Sequence, residues 1–155
     1  MRFLVDTNVL IRLAQPSHRH HATAKNALEC LRLANHHGFI VPQVLYEFWV
    51  VGTRTETDNG LGLTIDEVVA ELAEIKILFR LFRDERSIFE KWEHLVEAHR
   101  VCGKPAHDTR LVAAMVRHSL THILTFNAQD FTRYTGVSVL IPDDVIQDAE
   151  QSKLG

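Results

Sequence analysis

Three acidic residues lie within, or at the end of, apolar patterns in the sequence. Asp6 directly follows the apolar run 3–5, Glu47 lies inside the apolar run 44–51, and Asp108 precedes an apolar stripe at helical spacing in the run 111–115. A buried carboxylate without a partner costs several kcal/mol, so each of these acids needs something to compensate its charge. They are the residues with the clearest potential for chemistry.

Each acid also has an ordinary structural explanation. Asp6 could cap the helix that follows it. Glu47 could form a buried ion pair with Arg12 or Arg110. Asp108 lies in the first turn of a predicted helix, where a negative charge meets the helix dipole favourably. One acid of this kind decides nothing, and the functional interpretation depends on all three acting together.

Convergence of the three acids would demand a cation. In parallel sheets the carboxyl ends of the strands form the ligand crevice, and Asp6 follows such a strand. At about 5 Å and an effective dielectric of about 20, each pair of carboxylates repels by about 3 kcal/mol, so three pairs approach the stability of a whole domain. Oxygen donors without Cys or His at ligand spacing favour Mg²⁺ or Mn²⁺, which serve phosphate-ester chemistry.

Short apolar runs and helical patterns alternate along the chain. This alternation predicts an α/β fold with a mainly parallel sheet flanked by helices. The predicted strands lie near residues 2–5, 38–41, 79–82, 122–125 and 137–140. The predicted helices lie near residues 9–14, 20–35, 42–54, 64–79, 87–100 and 106–119.

Length and composition indicate one ordinary globular domain. The chain has 155 residues, of which 46% are hydrophobic, and this content excludes a disordered protein. We expect a single domain over residues 1–145 and a polar C-terminal tail over 146–155. Two cysteines, no apolar run of about 20 residues and no secretory signal predict a reduced, cytoplasmic location without a membrane partner.

The net charge of −3 argues against a protein that is basic throughout, yet the charge is unevenly distributed. Residues 1–55 carry six Lys/Arg against three Asp/Glu, and residues 98–136 carry five against two. These two basic segments contain all three acids. The basic residues near the acids could contact phosphate; they are Arg12, Lys104, Arg110 and Arg117. His107, next to Asp108, could contact a substrate.

The other histidines do not indicate a metal site. Those at positions 18–21 and 36–37 lack the helical pairing of a zinc motif, and no Cys ligand accompanies them. We therefore interpret them as surface or helix-end residues. The sequence also lacks a glycine-rich phosphate loop and a G-x-S-x-G nucleophile motif, which leaves kinase and hydrolase-triad functions without support.

Four segments in order resemble one known family. They are Phe3-Leu4-Val5-Asp6-Thr7-Asn8-Val9-Leu10, Glu47, Ala106-His107-Asp108-Thr109-Arg110-Leu111-Val112-Ala113-Ala114 and Ile123-Leu124-Thr125-Phe126-Asn127-Ala128-Gln129-Asp130-Phe131. Together they resemble the PIN-domain nucleases, in particular the VapC-like toxins of bacterial toxin–antitoxin pairs. The resemblance implies a PIN-like three-layer α/β sandwich and a Mg²⁺- or Mn²⁺-dependent endoribonuclease.

The resemblance also assigns roles within the site. Asp6, Glu47 and Asp108 match the acidic metal-binding positions of the family. A fourth acidic position falls at Asn127, an amide, which leaves the number of metal ions open, and Asp130 is a possible substitute. The residues expected to support the ligands by hydrogen bonds are Thr7, Asn8 and Thr125.

Three functions are compatible with this resemblance. The leading hypothesis is an RNase toxin that a small antitoxin protein neutralises, with RNA as its substrate and a homodimer as its assembly. A housekeeping PIN nuclease of RNA processing is the second. The third is a degenerate PIN domain that binds RNA or a partner without cleaving, and Asn127 is the feature that favours it.

Overall fold

Parallel strands form the centre of the computed structural model, which describes residues 1–154. The strands are β1 (Arg2–Val5), β2 (His37–Ile40), β3 (Arg80–Leu81), β4 (His122–Leu124) and β5 (Ser138–Leu140). Their order in the sheet is β3-β2-β1-β4-β5, and each neighbouring pair is parallel. Because the order turns back after β3 to place β4 beside β1, the carboxyl ends of β1 and β4 border the switch point where α/β proteins bind ligands.

Helices connect the strands and cover both faces of the sheet. They are α1 (Thr7–Leu13), α2 (His21–Leu33), α3 (Pro42–Thr53), α4 (Ile65–Leu78), α5 (Arg86–Ala98), α6 (Pro105–Arg117) and α7 (Pro142–Leu154). Proline in the first turn of α3 and α6 suits a helix start, and a capping box between Thr64 and Glu67 begins α4. Of the helices described here, none combines the length and hydropathy needed to cross a bilayer.

The core lies between the sheet and the helices on each side. Phe3, Leu4 and Val5 of β1 are buried, and Phe48 of α3 and Met115 of α6 pack into the same cluster. This arrangement confirms the predicted α/β sandwich with a central parallel sheet. The sheet is parallel throughout, whereas the sequence predicted a mainly parallel one.

The C-terminal segment is the part of the fold that sequence reasoning described least well. Residues 146–155 were predicted as a polar tail, but α7 begins at Pro142 and continues to Leu154 against α2. Asp143 and Asp144 lie in its first turn, where the helix dipole favours acids, and Val145 packs on the core. Gly155 lies outside the described residues.

Candidate active site

Asp6 lies at the carboxyl end of β1 and is almost completely buried, with 7% of its surface exposed. The register pairs Val5 with Leu124, so Asp6 and Thr125 follow side by side on neighbouring strands. Its Oδ1 accepts a hydrogen bond from the Thr7 backbone N–H at 2.7 Å. Its Oδ2 accepts from Asn8 Nδ2 at 2.9 Å and from Thr125 Oγ1 at 2.7 Å. Asp6 therefore caps α1, as one explanation anticipated, and is also fixed in orientation.

Glu47 extends from α3 toward Asp6 and is held by neutral donors. Thr7 Oγ1 donates to its Oε2 at 2.6 Å, and Gln43 Nε2 donates to its Oε1 at 2.8 Å. Within residues 1–154, Glu47 forms no ion pair with Arg12 or Arg110, the alternative considered from sequence. The carboxylate is thus hydrogen-bonded, but no cationic side chain is paired with it.

Gln43 is a site residue that sequence reasoning missed. Besides Glu47, its Nε2 donates to the carbonyl of His107 at 2.9 Å, and its Oε1 accepts from Arg110 at 3.1 Å. The side chain is buried and ties α3 to the first turn of α6. Its position four residues before Glu47 on one helix is a signal that could have revealed it.

Asp108 lies in the first turn of α6 and is half-buried. Burial raises the pKa of its carboxyl to about 6, and the negative charges of Asp130 and Glu47 act in the same direction. His107 and Arg133 oppose this shift. The favourable helix dipole was one explanation for Asp108 from sequence. The repulsion from Asp130 and Glu47 shows that Asp108 also belongs to a group of acids that act on one another.

The pKa of Asp6 is also raised to about 6, chiefly because the carboxyl is buried. The hydrogen bonds from Thr125 and Thr7 act against the shift, and the charges of Glu47 and Asp108 add to it. The three acids predicted to converge thus lie close enough to perturb one another. Two carboxyls with raised pKa values in one crevice are typical of a functional site.

The segment after β4 supplies the candidates for the fourth acidic position. Asn127 is exposed, and its backbone N–H donates to Thr125 Oγ1 at 3.0 Å. A single 3₁₀ turn over Ala128–Phe131 then brings the charge of Asp130 close to Asp108. Asn8 closes this network, because its Nδ2 donates to Thr125 Oγ1 at 2.9 Å.

The predicted phosphate-contacting residues have different surroundings. Arg110 forms an ion pair with Asp84 at 3.0 Å, and Arg117 forms one with Glu85. Lys104 is exposed at the start of α6. Arg12 donates to Gln15 Oε1 at 2.6 Å. His107 is exposed beside Asp108, and its carbonyl accepts the Gln43 hydrogen bond.

The donor chemistry of the site fits a hard divalent cation. The three carboxylates offer oxygen only, and the described hydrogen bonds leave lone pairs on Asp6 Oδ1, on Glu47 and on Asp108. A cation would offset both the burial and the repulsion that raise the pKa values of Asp6 and Asp108. Over residues 1–154, however, no three His, Cys, Asp or Glu side chains lie close enough together to hold a metal ion.

Comparison with known proteins identifies the family. The family model described as PIN domain matches residues 3–137, which include all three acids. The chain belongs to the PIN-domain family. The resemblance found from sequence motifs is thereby confirmed. A search of curated proteins finds no match.

Solved structures of toxin–antitoxin proteins share this PIN fold. A chain of VapBC2 from Rickettsia felis, crystallised with a promoter DNA fragment, superposes with a TM-score of 0.68 at 15% identity, covering 91% of this chain and 98% of that one. A toxin–antitoxin complex from Klebsiella pneumoniae gives 0.59 at 23% identity over 90% and 97%. VapC20 of Mycobacterium tuberculosis, described as a Sarcin-Ricin loop cleaving toxin, gives 0.59 at 20% identity over 84% and 92%.

Proposed function

We propose that this chain is a divalent-cation-dependent endoribonuclease that acts as the toxin of a toxin–antitoxin pair. The observation that supports the proposal is that Asp6, Glu47 and Asp108 act electrostatically on one another in a PIN-domain fold, and that burial, with this repulsion, raises the pKa values of Asp6 and Asp108 to about 6. Such a cluster is costly without a cation and is suited to holding one beside a phosphodiester.

The side chains have separate tasks in this proposal. A Mg²⁺ or Mn²⁺ ion, when bound, supplies a water of lowered pKa and neutralises negative charge developing on the phosphate. Asp6, Glu47 and Asp108 would hold the ion through carboxylate oxygens. Thr7 and Asn8 fix the orientation of these oxygens by hydrogen bonds, as supporting residues around metal sites do. A cation would also favour the ionised form of both raised-pKa carboxyls, so binding would release protons.

The nuclease proposal is tested by incubating the purified protein with total RNA in Mg²⁺, in Mn²⁺ and in EDTA, and mapping the cut ends. We expect cleavage at defined sites that requires a metal ion. Asp148→Asn, which removes an exposed carboxylate from α7, should cleave normally. It serves as the control for Asp-to-Asn variants of the site. Absence of cleavage under every metal condition would overturn the proposal and favour the RNA-binding alternative that Asn127 suggests.

A protein partner is supported by a large apolar groove. The groove has a volume of about 1350 Å³ and lies among residues of α2 and α4, with Phe3 of β1 and Phe39 of β2 in its lining. Ile77 and Leu78 of α4, which also line it, are 76% and 65% exposed. Several structural neighbours are toxin–antitoxin complexes. We propose that an antitoxin segment covers this groove.

Growth measurements separate the toxin from the RNA-processing alternative. A toxin should arrest growth when expressed alone, and co-expression of the small protein encoded next to it should restore growth. A processing enzyme should permit growth without such a partner. Replacing the exposed apolar Ile77 with Asp should abolish rescue while cleavage in vitro continues.

We propose a homodimer as the assembly. Tyr46 and Val50 lie one turn apart on α3 and are 63% and 57% exposed. Ile65 and Val69 lie one turn apart on α4 and are 58% and 53% exposed. Exposed apolar side chains on neighbouring helices are typical of an interface. Analytical ultracentrifugation tests this, and a Val50→Glu variant should sediment as a monomer if these residues form the contact.

A further inference from the structure

A second cavity lies beside the carboxylates, at the turn between α1 and α2. It has a volume of about 400 Å³, within the range of ligand pockets. We call it the basic cleft. Its lining includes Arg12, His18, Arg19, His20, Phe126 and Asn127. From sequence, these histidines were interpreted as surface residues, because their convergence with Arg12 and Phe126 depends on the fold.

The basic cleft is connected directly to Asp6. Asn8 lines the cleft, and its Nδ2 donates to Asp6 Oδ2 at 2.9 Å. Asn127 lines it as well, and its backbone N–H donates to Thr125, whose hydroxyl donates to the same Asp6 oxygen. A ligand bound in the cleft would therefore be separated from Asp6 by only one or two hydrogen-bonded side chains.

Positive charge in the cleft is not neutralised by ion pairs. Across residues 1–154, neither Arg12 nor Arg19 forms a salt bridge. The pKa of His18 is lowered by partial desolvation and by the positive charges of Arg12, His20 and Arg19. Asp143, at the start of α7, is the acid that lines the same cavity. Cationic side chains thus outnumber the single carboxylate.

Ring faces lie among these cations. The ring centroids of His18 and His20 are 5.5 Å apart, and those of His20 and Phe126 are 5.1 Å apart, with the rings tilted by 34° and 38°. Aromatic rings beside cations are the combination that binds single-stranded nucleic acid, because bases stack on the rings while cations contact phosphates.

We infer that the basic cleft binds the RNA strand next to the cleaved bond, with a phosphate against Arg12 and Arg19 and a base against His20 and Phe126. This inference rests on the proposed nuclease function for the reaction itself, and it identifies where the substrate strand lies. A single-stranded segment fits better than a duplex, because a base can reach the rings only when it is unpaired.

The test measures binding of a fluorescein-labelled 12-nucleotide single-stranded RNA by anisotropy, in EDTA at pH 8, between 50 and 300 mM KCl. Each phosphate contact contributes about 0.7 to the slope of log K against log salt concentration. We expect Arg19→Ala to weaken binding about 5-fold and to reduce the slope by about 0.7. The double variant Arg12→Ala/Arg19→Ala should lose about twice that slope. His20→Ala should weaken binding about 5-fold with little change in slope, because stacking releases no counterions.

Arg80→Ala is the matched control, since it removes the same charge from exposed β3, two strands away from β1. Its affinity and slope should equal those of the wild type. Arg19 makes no hydrogen bond or ion pair among the described residues, so its variant remains informative should the double variant fail to fold.

The inference is overturned if Arg19→Ala, His20→Ala and Arg80→Ala all bind like the wild type. It is also overturned if Arg80→Ala weakens binding as much as Arg19→Ala, because the affinity would then depend on the net charge of the protein and not on contacts in the cleft. RNA cleavage by the wild type is measured separately. Its absence defeats the proposed nuclease while the binding data still decide whether the cleft holds RNA.

Discussion

The two sides of the carboxylate cluster use basic residues in opposite ways. On the cleft side, Arg12 and Arg19 form no ion pair within residues 1–154 and border an open cavity. On the other side, which we call the paired side, Arg110 binds Asp84 beside the cluster, and Arg117, two turns further along α6, binds Glu85. Each side has two arginines, but within the described residues only those of the cleft side are left without a carboxylate partner.

This difference explains why counting charges along the chain is a poor guide to an interface. A guanidinium already paired with a carboxylate must lose that partner before it can bind phosphate, and exchanging one anion for another yields little free energy. Arg110 also donates to Gln43, which holds Glu47. The paired side therefore positions the site, while the cleft side is free to contact substrate.

The largest predicted effect is the loss of RNA cleavage when Asp108 or Asp6, which lie between the two sides, is replaced. Asp108→Asn should lower metal-dependent RNA cleavage by about 1,000-fold, which corresponds to about 4 kcal/mol of transition-state stabilisation. Asp6→Asn should have a similar effect on rate, with an additional loss of stability because an amide cannot accept all the hydrogen bonds that Asp6 receives. Initial-rate assays on the folded variants would measure this, and full activity in either would remove that residue from the mechanism.

The second prediction separates the two sides kinetically. Arg12→Ala should raise KM about 10-fold and change kcat little, because it removes a contact made equally in the bound substrate and the transition state. Arg110→Ala should leave KM within about 2-fold and lower kcat several-fold, since it releases Gln43 and hence Glu47. Steady-state kinetics on one RNA substrate would reveal the split. The reverse pattern would exchange the roles that we assign to the two sides.

The third prediction converts the paired side into a substrate-binding surface. Asp84→Asn should free the guanidinium of Arg110 and improve the affinity for single-stranded RNA about 3-fold. The salt slope should increase by about 0.7 because one more phosphate contact becomes available. Asp66→Asn removes an exposed carboxylate from the start of α4 and serves as the control. Equal gains in both variants would show that net charge matters and pairing does not.

The fold was largely predictable because the strands are short apolar runs and the helices have clear apolar faces. Pro42, Pro105 and the Thr64–Glu67 capping box mark helix starts within a residue or two of those observed. α7 was not predicted, because residues 146–154 are polar and their helix depends on packing against α2. Because this segment has few apolar residues, it shows no clear apolar face from which a helix could be predicted.

The site was predictable where local sequence carries the signal. An acid after an apolar strand or inside an apolar run is unusual by itself, and this led us to predict Asp6 and Glu47 as site residues. The basic cleft could not be found this way, because Phe126 and His20 are more than 100 positions apart and meet only once β4 lies beside β1. Which arginines are paired was equally invisible, since Arg110 and Asp84 lie on different elements.

The smallest predicted effect is that of the Asp108 carboxylate, which lies between the two sides, on the free energy of unfolding. The folded pKa of Asp108 is raised to about 6 from an ordinary value of 3.8, so the metal-free folded state holds its proton more tightly than the unfolded state. This carboxyl therefore opposes folding increasingly as pH rises from about 4 to about 6. Asp108→Asn should be more stable than the wild type by about 1 kcal/mol at pH 7, after allowing for solvent screening at a half-buried group, and equal to it near pH 4. Urea unfolding in EDTA measures the difference, and Mg²⁺ should reverse it by stabilising the wild type. A difference independent of pH would mean that the raised pKa of Asp108 is not what destabilises the metal-free site.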